Sequence, residues 1–149
     1  MKIILGSSSP SRRKILKKAG INFISKSPPL KEGLEKKKYK GPKEKLPLYL
    51  AEKKALSIDA GHEDIIIGAD QILLLNGRVY DKPKSMREAK THLTSLSGKT
   101  HQLISGTTII RNKEILWSHT NKAKMKMRPI SKKEIEEYLL LSGEKILKS

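Results

Sequence analysis

Short apolar runs, separated by polar turns, alternate with amphipathic segments along the chain. The first run, residues 3–5, is followed by a Gly/Ser turn and by a segment whose apolar residues recur at helical spacing, at Ile15, Leu16 and Ala19. Gly20 is placed to end that helix, because glycine tolerates the left-handed conformation found just past a helix. The opening therefore predicts a buried strand, a tight turn and a helix.

The following segment predicts a second strand, a loop and another helix. Residues 21–24 are the strand candidate, and residues 26–46 are rich in Lys, Pro and Gly, which is typical of a mobile surface loop. Pro47 suits the first turn of a helix. The apolar residues at helical spacing behind it are Leu48, Ala51, Ala55 and Ile58.

The middle of the chain has the strongest strand pattern. Residues 65–70 and 71–75 are almost continuously apolar, and Asn76-Gly77 separates them from the short run 78–80. Asn-Gly between two such runs is the strongest short-range signal for a hairpin. We expect this hairpin to lie at the centre of a sheet.

The second half contains two capping-box patterns and two further strands. Ser85 to Glu88 and Ser131 to Glu134 each predict the start of a helix, the first of which continues to Gly98. Residues 103–110 and 114–117 bracket a polar turn, and apolar residues alternate with basic ones over 122–128, as in a half-solvated strand. Three large apolar residues are predicted to be core: Trp117, Met125 and Met127.

Together these elements predict an α/β protein with a mixed sheet and flanking helices. A chain of 149 residues is long enough for one domain with an ordinary core, so residues 1–149 are assigned to a single domain.

Charge and composition limit the classes of binding partner and chemistry that the chain can have. Lys and Arg total 32 against 15 for Asp and Glu, a formal net charge of +17, which favours an anionic partner. The excess is mostly Lys, and a genome that favours Lys and Ile would give the same bias. The chain has no cysteine, which excludes disulfides and a thiol nucleophile. No apolar run approaches the ~20 residues of a membrane span, so a cytoplasmic location is expected.

Three places could carry chemistry on residue type alone. The Gly/Ser turn before the first helix offers free N–H groups and hydroxyls to a phosphate. Arg12 lies in the first helical turn, where its positive charge opposes the helix dipole unless an anion binds there. Asp70 follows an apolar strand at Gly68, where a backbone or ligand can come close, and could bind Mg²⁺ or orient a water. Lys82 precedes a proline. Each place also has a structural alternative. The Gly/Ser turn can be a plain helix cap, Asp70 can cap a turn, and Lys82 can be a solvated surface lysine.

In this order the segments resemble the Maf family of nucleoside triphosphate pyrophosphatases over essentially the whole chain. Each motif is weak alone, but the combination is specific. The matching motifs are Leu5–Arg13, Leu50–Ala55, Gly68–Gln71, Lys82-Pro83 and Leu96–His101. The family's Asp-Glu pair in the first loop survives only as Lys31-Glu32.

The resemblance implies hydrolysis of a nucleoside triphosphate to a monophosphate and pyrophosphate, with Mg²⁺ or another divalent cation as cofactor and with modified nucleotides among the substrates. It implies an inosine-triphosphatase-like fold with a cleft between two lobes, and a homodimer is a further expectation. Asp70 would be the catalytic proton acceptor, with a pKa lowered by the cations around it, and Glu32 and Asp70 would hold the metal. The residues implied to bind the triphosphate are Ser7, Arg12, Lys54 and Lys82.

Selectivity for the base is implied at two positions. Ser11 stands where members acting on pyrimidine triphosphates often have a second Arg, and Gln71 resembles the branch that acts on 7-methylguanosine triphosphate. The resemblance also implies that family members continue for some tens of residues past the last predicted helix, and the given sequence is expected to lack that C-terminal segment.

Two other functions remain open on the sequence. One is a basic nucleic-acid-binding module that contacts phosphates through its lysines, although 4% aromatic residues leaves little for stacking on bases. The other is an inactive remnant that still binds nucleotide, which an activity measurement separates from the enzyme.

Overall fold

The computed structural model describes residues 1–148 and has a six-stranded mixed sheet with helices beside it. The strand order is β2-β1-β3-β5-β6, and β4 pairs with β3. The elements are β1 (Ile3–Gly6), α1 (Pro10–Lys18), β2 (Ile24–Ser25), α2 (Glu32–Lys38), α3 (Leu46–Leu56), β3 (Ile65–Leu75), β4 (Arg78–Tyr80), α4 (Met86–Leu96), β5 (Thr100–Arg111), β6 (Glu114–Lys126) and α5 (Lys132–Ser142), with 3-10 turns at Lys43–Lys45 and Gly143–Lys148. The predicted mixed α/β class is confirmed.

Backbone contacts divide the chain into two compact units. The first unit contains residues 1–71 and 104–121, and the second contains residues 72–103 and the chain from residue 122 onward. The assignment of one domain and the two-lobed cleft stay predictions.

The first unit is built around the parallel pairing of β1 with β3. Ile3 pairs with Ile65 and Gly6 with Gly68, and β2 adds on the other side of β1. Parallel strands are covered on both faces and therefore need near-continuous apolar sequence, as these two have. The core cluster consists of Ile4, Ala55, Ile58, Ile66 and Ile110.

Two glycines let helix α3 lie directly on the sheet. A Cβ on Gly68 would sit 2.3 Å from the carbonyl oxygen of Ala51, and one on Gly106 would sit 2.3 Å from the amide nitrogen of Leu48. Both contacts are with α3 backbone, which cannot give way as a flexible side chain can. The close approach expected at Gly68 is therefore made by helix backbone.

The second unit holds the hairpin and the two capped helices. Asn76 (φ 49°) and Gly77 (φ 74°) both adopt positive φ, as a two-residue hairpin turn requires. Helices α4 and α5 pack through Ala89, Ile135 and Leu139. The capping box at Ser131 is complete.

The capping box predicted at Ser85 is formed only in part. The Ser85 hydroxyl accepts from the Glu88 N–H at 3.1 Å. The Glu88 carboxylate, however, accepts from the N–H of Lys84 at 2.8 Å, one residue before the cap.

Three predicted elements differ in the structure. The predicted loop 26–46 contains helix α2, whose first-turn glutamates Glu32 and Glu35 suit the positive end of a helix. The second strand comprises only Ile24–Ser25. Helix α1 buries none of its residues, and Ile15 is exposed, so its predicted apolar face is not a core face.

The largest difference is strand β6. The two strand segments predicted over 114–117 and 122–128 form one strand, Glu114–Lys126, and its side chains are exposed except for the half-buried Thr120. Trp117 and Met125 are exposed rather than core, and Met127 is half-buried. Alternation alone cannot say whether a partner layer covers the apolar face. No helix among residues 1–148 is long and apolar enough to cross a membrane.

Candidate active site

The turn after β1 is organised around the buried side chain of Ser7. Its Oγ accepts from the Ser9 N–H at 3.2 Å and from Nη1 of Arg12 at 3.0 Å. Ser9 caps α1 by accepting from the Arg12 N–H, and Pro10 occupies the first helical turn. Because Oγ of Ser7 accepts twice, its own proton is available to a further acceptor. The Arg12 guanidinium is held at the helix start by this serine.

Ser25 supports the same turn from the neighbouring strand. Its Oγ donates to the Ser7 carbonyl oxygen at 2.6 Å. Residue type and spacing gave no signal for this contact, which follows from the parallel pairing of β1 and β2.

The ammonium of Lys54 joins two carboxylates. It donates to Oδ1 of Asp70 and lies 2.8 Å from Oε2 of Glu32. The Lys54 side chain is only 14% exposed and that of Asp70 only 8%. Lys36, one turn further along α2, also contacts Glu32, at 3.2 Å. The site therefore combines side chains from three elements: Glu32 from α2 and Asp70 from β3 both contact Lys54 from α3.

The environment changes the pKa of each carboxylate differently. Burial raises the pKa of Asp70 and outweighs the ammonium of Lys54, while the Glu32 charge raises it further and Arg12 opposes this. Burial also acts to raise the pKa of Glu32, but the hydrogen bond and charge of Lys54, together with Lys36, lower it overall. The expected net lowering of the Asp70 pKa is therefore wrong for the protein without bound cation, because burial outweighs the lowering by Lys54 and Arg12.

Five of the predicted site residues lie together in the first unit. Ser7 bonds Arg12, the charge of Arg12 acts on Asp70, and Lys54 connects Asp70 to Glu32. Strand β1 ends at Gly6, opposite Gly68 on β3, so the serine turn leaves the sheet beside the segment that carries Asp70. The arrangement places hydroxyl, guanidinium and ammonium donors around a buried carboxylate.

The two residues implied in base selectivity lie at different places. Gln71 is exposed on β3 and its Nε2 donates to Oγ of Ser105 on β5 at 3.0 Å. As a strand neighbour of Asp70 it points to the opposite face of the sheet. Ser11 is exposed in the first turn of α1. Ser105 was missed in the sequence because only strand pairing brings it to Gln71.

Lys82 belongs to the second unit. It is exposed in the segment between β4 and α4 and precedes Pro83, which is half-buried. Its role with the triphosphate stays a prediction.

The oxygen donors of the site are those that Mg²⁺ prefers. Mg²⁺ is usually bound through one or two carboxylates together with substrate phosphates rather than by an all-protein cage. Glu32 and Asp70 meet at one ammonium and supply such a pair. No group of three or more His, Cys, Asp or Glu that could hold a metal occurs among residues 1–148.

Solved structures with similar folds include a HAM1 protein from Coxiella burnetii. It has a TM-score of 0.49 and 12% identity, and the alignment covers 83% of this chain and 70% of that chain.

Sequence comparison with curated proteins gives stronger matches. The 7-methyl-GTP pyrophosphatase of Rhizobium meliloti (strain 1021) is 38% identical over 99% of this chain and 76% of its own length. That of Bartonella henselae is 41% identical over 99% of this chain and 75% of its own length. The nucleoside triphosphate pyrophosphatase of Hyphomonas neptunium is 34% identical over 97% of this chain and 75% of its own length. A model of the family described as Maf-like protein matches residues 2–148, and with these relatives it shows that the chain belongs to the Maf family.

Proposed function

We propose that this protein hydrolyses nucleoside triphosphates between the α and β phosphates, releasing a nucleoside monophosphate and pyrophosphate. The observation that carries the proposal is the Lys54 ammonium held between Glu32 and Asp70, in the same unit as the Ser7–Arg12 pair. Phosphoryl transfer needs positioning and charge neutralisation more than covalent chemistry. A buried carboxylate surrounded by fixed cations and hydroxyl donors meets that need.

The triphosphate would be held at the start of α1. The Ser7 hydroxyl, the Arg12 guanidinium and the positive end of the helix all favour an anion there. Lys54 adds a second cation, and the role of Lys82 in the second unit stays a prediction of the resemblance. With polyphosphate bound, the ammonium of Lys54 has phosphate oxygens as well as carboxylates for partners.

Asp70 would orient the attacking water and accept its proton. The water oxygen forms a bond to one of the two phosphorus atoms of the anhydride as the bridging oxygen leaves on the other, and the proton lost by water passes to Oδ of Asp70. An ordinary aspartate is a weak base at neutral pH. The raised pKa of Asp70 brings it closer to the pKa of an effective general base.

The same carboxylates suit a divalent cation. Glu32 and Asp70 would hold Mg²⁺ together with phosphate oxygens of the substrate. When bound, the ion neutralises negative charge on the phosphates.

For the substrate, we propose 7-methylguanosine triphosphate first. Two relatives that share 38% and 41% of their aligned residues with this chain carry that activity in their names. Gln71 is assigned to selectivity by the family resemblance alone, since its amide donates to Ser105 on the face of the sheet opposite Asp70. Replacing Gln71 by Thr should change the ranking of bases, and an unchanged ranking would remove Gln71 from selectivity.

The test is a panel of nucleoside triphosphates with Mg²⁺, in which pyrophosphate and monophosphate are measured together. Asp70→Asn should lower kcat by at least ~100-fold, as expected for the loss of a positioned general base. Asp59→Asn, which changes an exposed aspartate in the same unit, is the matched control and should retain the rate. Equal turnover by wild type and Asp70→Asn would refute the assignment, and no turnover of any substrate by wild type would favour a nucleotide-binding remnant.

A further inference from the structure

Helix α2 carries Glu32 into the candidate site but has little of its own to keep it there. In the structure of residues 1–148 none of the seven residues of this helix is buried. Its N-cap position is occupied by Lys31, whose ammonium cannot accept a backbone hydrogen bond as Ser or Asp would. A helix this short is not stable by itself in water. The position of Glu32 therefore depends on contacts between α2 and the rest of the first unit.

Tyr49 on α3 supplies such a contact. Its hydroxyl donates to Oε2 of Glu35 at 2.9 Å. The other carboxylate oxygen of Glu35, Oε1, accepts from Nζ of Lys38 at 2.9 Å. The Glu35 side chain is only 14% exposed, so its hydrogen bonds are partly shielded from water. The carboxylate of Glu35 is therefore held at both oxygens, one of them by α3.

The protonation states suit this hydrogen bond. The hydrogen bonds from Lys38 and Tyr49 lower the pKa of Glu35, so its carboxylate is ionised at neutral pH. The bond to Glu35 raises the pKa of Tyr49, which keeps its proton and remains the donor. A hydrogen bond to a charged group is stronger than one between neutral groups.

The ring of Tyr49 makes a separate contact with α2. Tyr39, at the C-terminal end of α2, has its ring centroid 4.9 Å from that of Tyr49. Tyr49→Phe keeps this ring contact and removes only the hydroxyl. The substitution therefore isolates the hydrogen bond to Glu35.

The hydrogen bond is placed to control Glu32. Glu35 is three residues after Glu32, and residues at this spacing are neighbours on one face of a helix. Glu32 contacts Lys54 on the same helix α3, at 2.8 Å. In the proposed function the ammonium of Lys54 gains phosphate partners when substrate binds. The hydrogen bond from Tyr49 does not use that ammonium, so it can hold α2 before and after substrate binding.

We propose that Tyr49 is a positioning residue that holds α2 against α3 through Glu35. It thereby keeps Glu32 beside Lys54 and Asp70. The proposal rests on the proposed function, in which Glu32 and Asp70 hold a divalent cation. Tyr49 acts on the position of a cation ligand and not on the reacting atoms. Loss of its hydroxyl weakens cation binding and leaves the chemistry of the loaded complex unchanged.

Limited proteolysis tests whether the hydrogen bond holds α2. Lys36, Lys37 and Lys38 form the last turn of the helix, so trypsin cuts after them when the helix opens. Tyr49→Phe should raise the initial rate of these cleavages about tenfold, as expected for the loss of one hydrogen bond to a charged group. Cleavage after Lys113, in the turn between β5 and β6, is the internal reference. Global unfolding would accelerate it as well, whereas local opening of α2 leaves it unchanged.

Mn²⁺ binding tests whether the hydrogen bond positions Glu32. Carboxylates suit Mn²⁺ as they suit Mg²⁺, and the free ion is measured by electron paramagnetic resonance. The apparent Kd rises as the fraction of molecules with Glu32 in place falls, so Tyr49→Phe should raise it at least about threefold in protein without nucleotide. At saturating Mg²⁺ and triphosphate, kcat should stay within about twofold of wild type. A merely structural role of Tyr49 would reduce the folded fraction without changing the Kd.

Tyr39→Phe is the matched control. It removes a neighbouring hydroxyl that donates to the carbonyl oxygen of Pro42 at 2.9 Å, an exposed hydrogen bond that water can replace. Cleavage of α2 and the Kd for Mn²⁺ should therefore match wild type. A double-mutant cycle with Glu35→Ala tests whether both side chains act through one contact. Once Glu35 is alanine, Tyr49→Phe should have no further effect.

The outcomes separate this proposal from the proposed function. Unchanged cleavage of α2 in Tyr49→Phe, equal effects in Tyr39→Phe, or additive effects in the cycle overturn the role of Tyr49. Faster cleavage with an unchanged Kd for Mn²⁺ also overturns it, as does a wild type that binds no Mn²⁺. If the wild type hydrolyses no triphosphate, the proposed function fails, and the cleavage and Mn²⁺ measurements still decide the role of Tyr49.

Discussion

The ammonium of Lys54 donates to the carboxylate of Asp70 and so joins helix α3 to strand β3 inside the first unit. The contact depends on the absence of a side chain at Gly68, two residues before Asp70 on the strand. A side chain at Gly68 would push α3 away from the strand, because its Cβ would meet the Ala51 carbonyl oxygen. Gly68 and the Lys54–Asp70 contact therefore lie at the same junction of α3 with β3.

Replacing Lys54 by Gln should lower kcat/KM for the preferred triphosphate by about 100-fold, the usual cost of removing one preorganised donor to developing charge. The change leaves Glu32 and Asp70 without the cation between them. Steady-state kinetics measure the effect. Lys53→Gln changes the neighbouring lysine, which contacts the Tyr49 ring, and should stay within about twofold of wild type. Similar losses in both variants would argue against a specific role of Lys54.

Replacing Gly68 by Ala should destabilise the protein and reduce its activity together. The new Cβ would lie 2.3 Å from the Ala51 carbonyl oxygen and 2.8 Å from the Ala55 Cβ, so α3 must move. Overpacking of this kind costs about 1–3 kcal/mol in the free energy of unfolding.

Chemical denaturation gives the free energy of unfolding for this comparison. Gly33→Ala is the matched control, because its Cβ meets nothing within 4 Å and lies in helix α2, where Ala is preferred to Gly. It should be neutral or slightly stabilising. A Gly68→Ala variant as stable as wild type would show that α3 is free to shift.

Asp70→Asn should make the protein without divalent cation more stable while removing its activity. Because folding raises the pKa of this carboxyl, ionising it is less favourable in the folded protein than in the unfolded chain. The charge therefore lowers the free energy of unfolding at pH values above the folded-state pKa. It has no effect at pH values below the pKa of the unfolded chain. Asparagine keeps an oxygen acceptor for Lys54 without the charge. Thermal unfolding at neutral pH with a chelator should give a higher Tm. An unchanged or lower Tm would show that the Lys54 contact outweighs the cost of burial.

Local signals predicted most of the fold, and three-dimensional pairing decided the rest. The strand at residues 65–75, the Asn76-Gly77 turn and the helix starts at Pro47 and Ser131 each have a residue pattern that acts within a few positions, and the structure contains them. Burial was harder to predict. Trp117 is a residue type that is usually buried, but it lies on the edge strand β6 and its side chain is 48% exposed.

The candidate site shows the same division. Ser7, Arg12 and Asp70 stand out by their place after strands and before a helix, whereas Glu32 and Lys54 do not stand out among the many charged residues of their segments. Only the resemblance to the Maf family singled them out. The structure gives the physical reason, since separate elements bring both to Asp70. The pKa of Asp70 is raised mainly by burial, and the burial of this side chain could not be predicted from the local sequence.

The stability of helix α5 should depend on pH through Glu134. The Ser131 N–H at 2.7 Å and the Arg128 guanidinium at 2.8 Å lower the pKa of Glu134 to about 2. Because folding lowers this pKa, the ionised carboxylate stabilises the protein above its ordinary value of 4.5, and the contribution is lost as pH falls from 4.5 towards 2. Glu134→Gln should therefore be less stable than wild type at neutral pH, and the difference should disappear near the lower limit.

Denaturation midpoints measured across that pH window check this prediction. Glu137→Gln removes a glutamate on the same helix whose partner Lys133 lies at 3.9 Å, and serves as the control for loss of a surface charge. An exposed pair at that distance contributes little, so the control should follow the wild-type pH profile. If Glu134→Gln also follows the wild-type profile, the capping box is not maintained by the charge of its glutamate, and Ser131 alone caps the helix.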